Sequence, residues 1–106
     1  MKIVWSDDAL ADLRDIHEYI SREAPERANR FVSRLVKAVE SLQQHPLVGR
    51  IVPEGDGSLR ELFCGPYRLL YRDAERHLSI ISVVHCARDL PSFLERRDLG
   101  PSSEDD

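Results

Sequence analysis

The sequence predicts an α+β domain in the order β-α-α-β-β-β-α, with a helical hairpin packed on one face of a small, mainly antiparallel sheet. Three observations carry this. Two stretches in the first half repeat apolar residues at helical spacing, with only a short break around Pro25. Leu59–Arg88 then reads as a meander, three strand-like runs broken by Gly65-Pro66 and by Asp73-Ala74-Glu75-Arg76. The last of these runs, Leu78–Cys86, is the most apolar and β-branched in the chain, as suits a strand buried on both faces.

Taken in order, Lys2–Trp5 is a short strand that needs the meander as a partner, because an isolated strand is not stable. Ser6 reads as an N-cap, with Asp7 and Asp8 placed where negative charge meets the helix dipole favourably. Leu10, Leu13, Ile16, His17, Ile20 and Ala24 form the apolar stripe of the first helix. Pro25 suits the first turn of a second helix and disfavours helix at Ala24. That second helix carries Ala28, Phe31, Val32, Leu35, Ala38, Val39 and Leu42 on one face and stops by Pro46. The short break makes the two helices antiparallel neighbours.

Leu47–Ser58 is read as a loop, since glycines, a proline and polar residues crowd Pro53–Ser58. Within Tyr67–Arg72, alternation puts Tyr67, Leu69 and Tyr71 on one face and Arg68, Leu70 and Arg72 on the other. Asp89 is placed to cap a final short helix, Leu90–Arg97, which Gly100-Pro101 stops. The expected organisation is one domain over residues 1–99 and a disordered acidic tail over 100–106. The sheet face away from the hairpin is expected to be partly open, a place for a ligand or partner.

With 106 residues, 42% apolar and 32% charged, the chain has the composition of a globular domain with one modest core. The formal charge of −4 gives no global basic field for nucleic acid. The cations are thirteen arginines and two lysines, a bias toward planar, bidentate contact with carboxylate or phosphate. The start of the chain has no long apolar stretch of the signal-peptide kind, and no run reaches membrane-spanning length, so a cytoplasmic protein with no membrane partner is expected. Cys64 and Cys86 are too few for a disulfide framework, and the histidines and cysteines show no ligand-type pairing, so no metal and no cofactor are expected.

In this order and spacing, several short motifs resemble the RelE/ParE superfamily of bacterial type II toxins. They are W-x3-A-x2-D-L at Trp5–Leu13, Tyr19-Ile20, P-x2-A at Pro25–Ala28 and H-P-L-V-G-R at His45–Arg50. L-R-E-L at Leu59–Leu62, Y-R-L-L-Y at Tyr67–Tyr71 and V-x-H-x2-R-D-L at Val83–Leu90 continue the series. The resemblance implies a toxin neutralised by direct binding of a cognate antitoxin, with operator DNA reached only through that antitoxin. It covers two mechanisms. RelE-like members cut mRNA on the ribosome. ParE-like members poison DNA gyrase and are not known as nucleases.

Arginines along the meander are the expected target-binding groups: Arg60, Arg68, Arg72 and Arg88, with Arg50 joining them on the resemblance. Under a ribonuclease reading, Arg68 and Arg88 would hold phosphate and His85 would carry a proton, because attack by a ribose hydroxyl needs a base, an acid and positive charge at the phosphorane. Bland readings stand beside these. Arg72 can be a solvated strand residue, His85 a hydrogen-bonded structural histidine, and Arg50 an anchor to an acidic neighbour. Two departures favour the ParE branch. Arg60 is followed by Glu61 on the other face, where a carboxylate would oppose phosphate chemistry, and no tyrosine follows Tyr71. A third possibility is a non-toxic member that acts only as an antitoxin co-repressor. If Arg68 touches the target, Arg68→Ala should abolish toxicity and leave stability nearly unchanged.

Overall fold

The chain was analysed as a computed structural model, which describes residues 2–74, 76–88 and 90–97. Asp89 as a cap, Glu75 in the second turn and the acidic tail at 100–106 lie outside the described residues. The elements run β1 (Lys2–Trp5), α1 (Asp7–Ser21), α2 (Pro25–Ser41), β2 (Arg50–Ile51), β3 (Leu59–Cys64), β4 (Tyr67–Asp73), β5 (His77–His85) and α3 (Leu90–Arg97). They form a two-helix hairpin on a five-stranded sheet ordered β1-β5-β4-β3-β2.

Local chemistry sets the boundaries. Ser6 has extended backbone, and its Oγ accepts from the Ala9 N–H at 3.0 Å. The same hydroxyl donates to the Ile81 carbonyl at 2.8 Å, so the cap of α1 is also a weld to β5. Pro25 is the first residue of α2, where its missing N–H removes no intrahelical bond. Gly65 has φ +58°, and the Gly65-Pro66 turn fixes Cys64 opposite Tyr67. From there every β3–β4 pair follows, including Phe63 opposite Arg68 and Glu61 opposite Leu70.

β1 lies parallel beside β5, with Lys2 opposite His77 and Trp5 opposite Ile80. The other pairings are antiparallel, and a bulge interrupts β4–β5 at Leu70/Tyr71. One sheet face packs against the hairpin. Leu69, Tyr71, Leu78, Ile80 and Val83 meet Ile16, Phe31, Leu35, Val39 and Leu42 in the main core. These helical residues are the stripes that periodicity picked out. His17 is half-buried and its Nε2 lies 2.9 Å from Asn29 Oδ1, a polar tie between the helices.

One expectation is corrected and a second is narrowed. The loop over 47–58 contains β2, which pairs Arg50 with Glu61 and Ile51 with Arg60. A two-residue strand is too short to show any periodicity. The sheet face away from the hairpin is covered over its centre by α3 and stays open at Phe63. Leu59, Leu70 and Val84 on that face are buried together with Val52 and with Leu90, Phe93 and Leu94 of α3. The i, i+3, i+4 spacing of those three gives α3 an apolar stripe that must be covered, and the sheet covers it. Among the described residues, no helix is long and apolar enough to cross a membrane.

Candidate functional site

The β3–β4 register places a carboxylate between two of the candidate arginines. Glu61 is 1% exposed. It stands opposite Arg50 on β2 and diagonally across from Arg68 on β4. Its Oε2 accepts from Arg50 Nε, and its Oε1 accepts from Arg68 Nη1 at 3.0 Å. Arg68 Nη2 donates to the Cys86 carbonyl at 3.1 Å, which ties β4 to the end of β5. The Arg68 side chain is only 16% exposed, and its Nε is buried without a hydrogen-bond partner among the described residues. Arg68 therefore neutralises a buried carboxylate. Arg50, with a side chain 64% exposed, reaches solvent and lies over the Phe63 ring at 5.7 Å.

Arg60 and Arg72 hold loops. Arg60 Nη1 donates to the Gly49 carbonyl at 2.7 Å and to the Leu47 carbonyl at 3.4 Å. Tyr71 ties the same loop from inside the core: its hydroxyl donates to the Pro46 carbonyl at 2.8 Å and accepts from the Gly49 N–H at 2.9 Å. A Cβ at position 49 would sit 2.6 Å from that hydroxyl oxygen, so only glycine lets the loop approach. Burial pushes the Tyr71 phenol above its usual pKa, against the Gly49 hydrogen bond and the Arg60 charge. On the other face, Arg72 donates from Nε to Ser58 Oγ at 2.9 Å and from Nη2 to Asp56 Oδ2 at 3.2 Å. The two Ser58 hydrogen bonds, then Arg72, hold the Asp56 carboxyl below its usual pKa.

Arg88 is exposed and stacks on Phe93 of α3 at 5.1 Å. His85 is exposed, with Nδ1 accepting from the Ala87 N–H at 3.0 Å and its ring edge-on to Tyr67 at 5.2 Å. Tyr67 packs on Phe31 of α2, so His85 belongs to the hairpin side of the sheet. Arg68 alternates with Tyr67 and projects to the other side. The histidine and the arginine proposed to share a phosphate are thus not brought to one surface. Among the described residues, no three His, Cys, Asp or Glu side chains converge as metal ligands.

A cleft of about 640 Å³ opens between α1, α2 and the β4–β5 end of the sheet. Ile16, Tyr19, Ile20, Phe31 and Tyr67 give it an apolar lining, with Arg27 and Arg34 on its wall. Tyr19 is 67% exposed, although it falls beside the apolar stripe of α1. Arg27, Arg30, Arg34 and Lys37 are all exposed and follow a 3-4-3 spacing, one basic ridge along α2 next to the cleft. Of the expected site residues, His85 lines this cleft, whereas the ridge cations did not figure among them. The ridge was legible from spacing alone, since the helical period that aligns the core aligns the cations opposite it.

Comparison with known proteins places this geometry. The family model described as "ParE toxin of type II toxin-antitoxin system, parDE" matches residues 3–90. Toxin RelE2 of Caulobacter vibrioides is 38% identical over 88 residues, spanning 82% of this chain and 97% of that protein. The solved chromosomal ParDE system of P. aeruginosa contains a chain that superposes with a TM-score of 0.70 at 26% identity, covering 80% of this chain and 95% of that one. The RelBE2 toxin–antitoxin complex of Mycobacterium tuberculosis has a chain with the same fold, at a TM-score of 0.57 and 23% identity over 79% of this chain and 95% of that one. With the family model spanning β1 to the start of α3 and the helical hairpin on its five-stranded sheet as framework, the chain belongs to the ParE toxin family of type II toxin–antitoxin systems.

Proposed function

We propose that this toxin arrests growth by binding DNA gyrase and poisoning it, and that a cognate antitoxin neutralises it by direct binding. The observation that carries the choice of mechanism is Glu61. Its buried carboxylate accepts from Arg68, while His85 projects on the opposite side of the sheet. Cleavage of RNA asks for uncompensated positive charge and a proton carrier around one phosphate. Arg68 carries no surplus charge in this arrangement. A protein that acts by binding needs no such convergence, and the ParE family assignment points the same way.

The antitoxin would dock in the cleft between the helical hairpin and the sheet. An amphipathic helix can lay its apolar face on Tyr19, Ile20, Phe31 and Tyr67 and point carboxylates at Arg27 and Arg34. The ridge through Arg30 and Lys37 would draw an acidic segment in before contact.

A supercoiling assay with purified gyrase, run beside a ribosome-dependent mRNA cleavage assay, tests the proposal. Inhibited supercoiling with intact mRNA is the expected outcome. Undisturbed supercoiling with mRNA cut on the ribosome overturns it in favour of a RelE-like ribonuclease. Neither activity, with no growth arrest on expression, assigns the chain to a co-repressor role.

A further inference from the structure

Glu61 serves two arginines but carries one charge. The group Arg50–Glu61–Arg68 therefore keeps one positive charge in excess. The exposure of the two arginines decides where that charge appears. Arg68 is sunk in the sheet, with a carbonyl as its second partner, whereas the Arg50 guanidinium reaches solvent. Arg50 binds the carboxylate through Nε, and among the described residues its Nη1 and Nη2 make no hydrogen bond. Its Cζ lies over Phe63, itself 52% exposed. Two contacts thus fix a long side chain that would otherwise be mobile, and the two-nitrogen edge of the guanidinium is left to face outward. That edge matches the two oxygens of a carboxylate.

The surroundings identify the kind of partner. Ile51 on β2, and Leu47 and Val48 in the turn before it, are exposed along the same edge of the sheet. An arginine set over an exposed aromatic ring has the composition of a protein–protein interface, with Leu47 and Val48 at its margin and Ile51 on the other face of the same strand. Nucleic acid fits less well, because affinity for a phosphate backbone comes from several uncompensated cations and this group offers one.

We propose that Arg50 and Phe63, positioned by Glu61, form the surface by which the toxin grips its protein target, taking a carboxylate flanked by apolar side chains. The identity of that target as gyrase rests on the function proposed above. The surface is an independent matter, so the experiment reads both.

Arg50→Ala, Arg50→Lys and Phe63→Ala are compared with wild type and with Lys2→Ala, an exposed cation on β1 at the opposite edge of the sheet. Four quantities are measured: thermal stability, affinity for the antitoxin, affinity for purified gyrase, and growth arrest on expression. Phe63→Ala leaves the ion pairs in place and keeps the test sharp if Arg50→Ala loosens the fold. Both alanine variants should weaken gyrase binding by about tenfold or more, as loss of a hot-spot residue does. Both should lose growth arrest while keeping antitoxin affinity. Arg50→Lys should behave like Arg50→Ala, since lysine has no second edge to offer once it pairs with Glu61. If the wild-type toxin arrests growth without binding gyrase, the gyrase assignment falls and growth arrest alone reads the surface. Folded Arg50→Ala and Phe63→Ala proteins that arrest growth like wild type overturn the inference. So does a loss confined to antitoxin affinity.

Discussion

Glu61 on β3 and Arg68 on β4 form an ion pair, Oε1 to Nη1 at 3.0 Å, on the sheet face that also carries α3. The pair changes what loss of Arg68 would mean. Removing one partner of a buried pair strands the other charge, at a cost of about 3–5 kcal/mol. Arg50 still compensates Glu61 here, which favours the lower end. Arg68→Ala should therefore lower the urea midpoint markedly, in contrast to the expectation drawn from sequence. Any loss of toxicity in that variant would report stability before it reported target contact. A double change, Glu61→Leu with Arg68→Met, should lose less than the two single changes summed, because it leaves no stranded charge in that pair. An Arg68→Ala protein within about 0.5 kcal/mol of wild type, the range of an ordinary surface change, would refute a structural role.

Tyr71 gives the fold an alkaline limit. Burial raises its pKa in the folded protein above the ordinary phenol value, so the folded state holds the proton more tightly than the unfolded chain does. The contribution to stability is complete below the unfolded pKa of about 10 and is lost as pH rises through the folded value. Ionisation would also remove the donor to the Pro46 carbonyl and set a phenolate oxygen against that carbonyl. Stability measured in urea should thus fall above about pH 10 more steeply than in Tyr71→Phe. Tyr67, raised mainly by burial as well, should preserve part of the slope. Tyr71→Phe should itself cost about 1–3 kcal/mol at neutral pH, because it leaves the Gly49 N–H without its acceptor. Equal slopes in the two proteins would show that Tyr71 does not set the limit.

Helix α3 closes the second core, and its packing has a direct measure. Leu94 is buried with Leu70, Leu59 and Val84. Leu94→Ala should destabilise the domain by about 2–5 kcal/mol, the cost of a cavity that cannot fully collapse. A change below about 0.5 kcal/mol, as for an exposed site, would mean that α3 does not cover the sheet in solution.

The helical hairpin was legible because each boundary carries its own chemical signal. Ser6, Pro25 and the 3.6-residue stripes act within a few residues of where they are read. The meander was legible for the same reason, through Gly65 and the alternation in Tyr67–Arg72. What escaped is what depends on partners distant in sequence. The pattern of Leu90, Phe93 and Leu94 announces an apolar stripe but not the surface that will cover it. Glu61 lay between these cases. The two-residue turn at Gly65-Pro66 forces Phe63 opposite Arg68, and from that register Glu61 must stand diagonal to Arg68 on the same face. Reading the register through, and not the faces one strand at a time, would have paired them. Arg50 could not be placed that way, since β2 has no pattern of its own.

The proposed antitoxin cleft makes demands that a purely structural cleft would not. Tyr19 is mostly exposed on its wall, so Tyr19→Ala should leave stability within about 0.5 kcal/mol of wild type. Affinity for the antitoxin should nonetheless drop by about tenfold or more if the ring anchors a helix from the partner. The ridge should act differently. Arg30 and Lys37 stand on α2 beyond the lining, so Arg30→Glu with Lys37→Glu should mainly slow association and flatten its salt dependence, with a smaller effect on dissociation. Stopped-flow binding at two ionic strengths separates these effects. A Tyr19→Ala toxin that binds antitoxin as tightly as wild type would remove the cleft as the docking site. A ridge variant with an unchanged association rate would leave the cations on α2 as ordinary solvated surface.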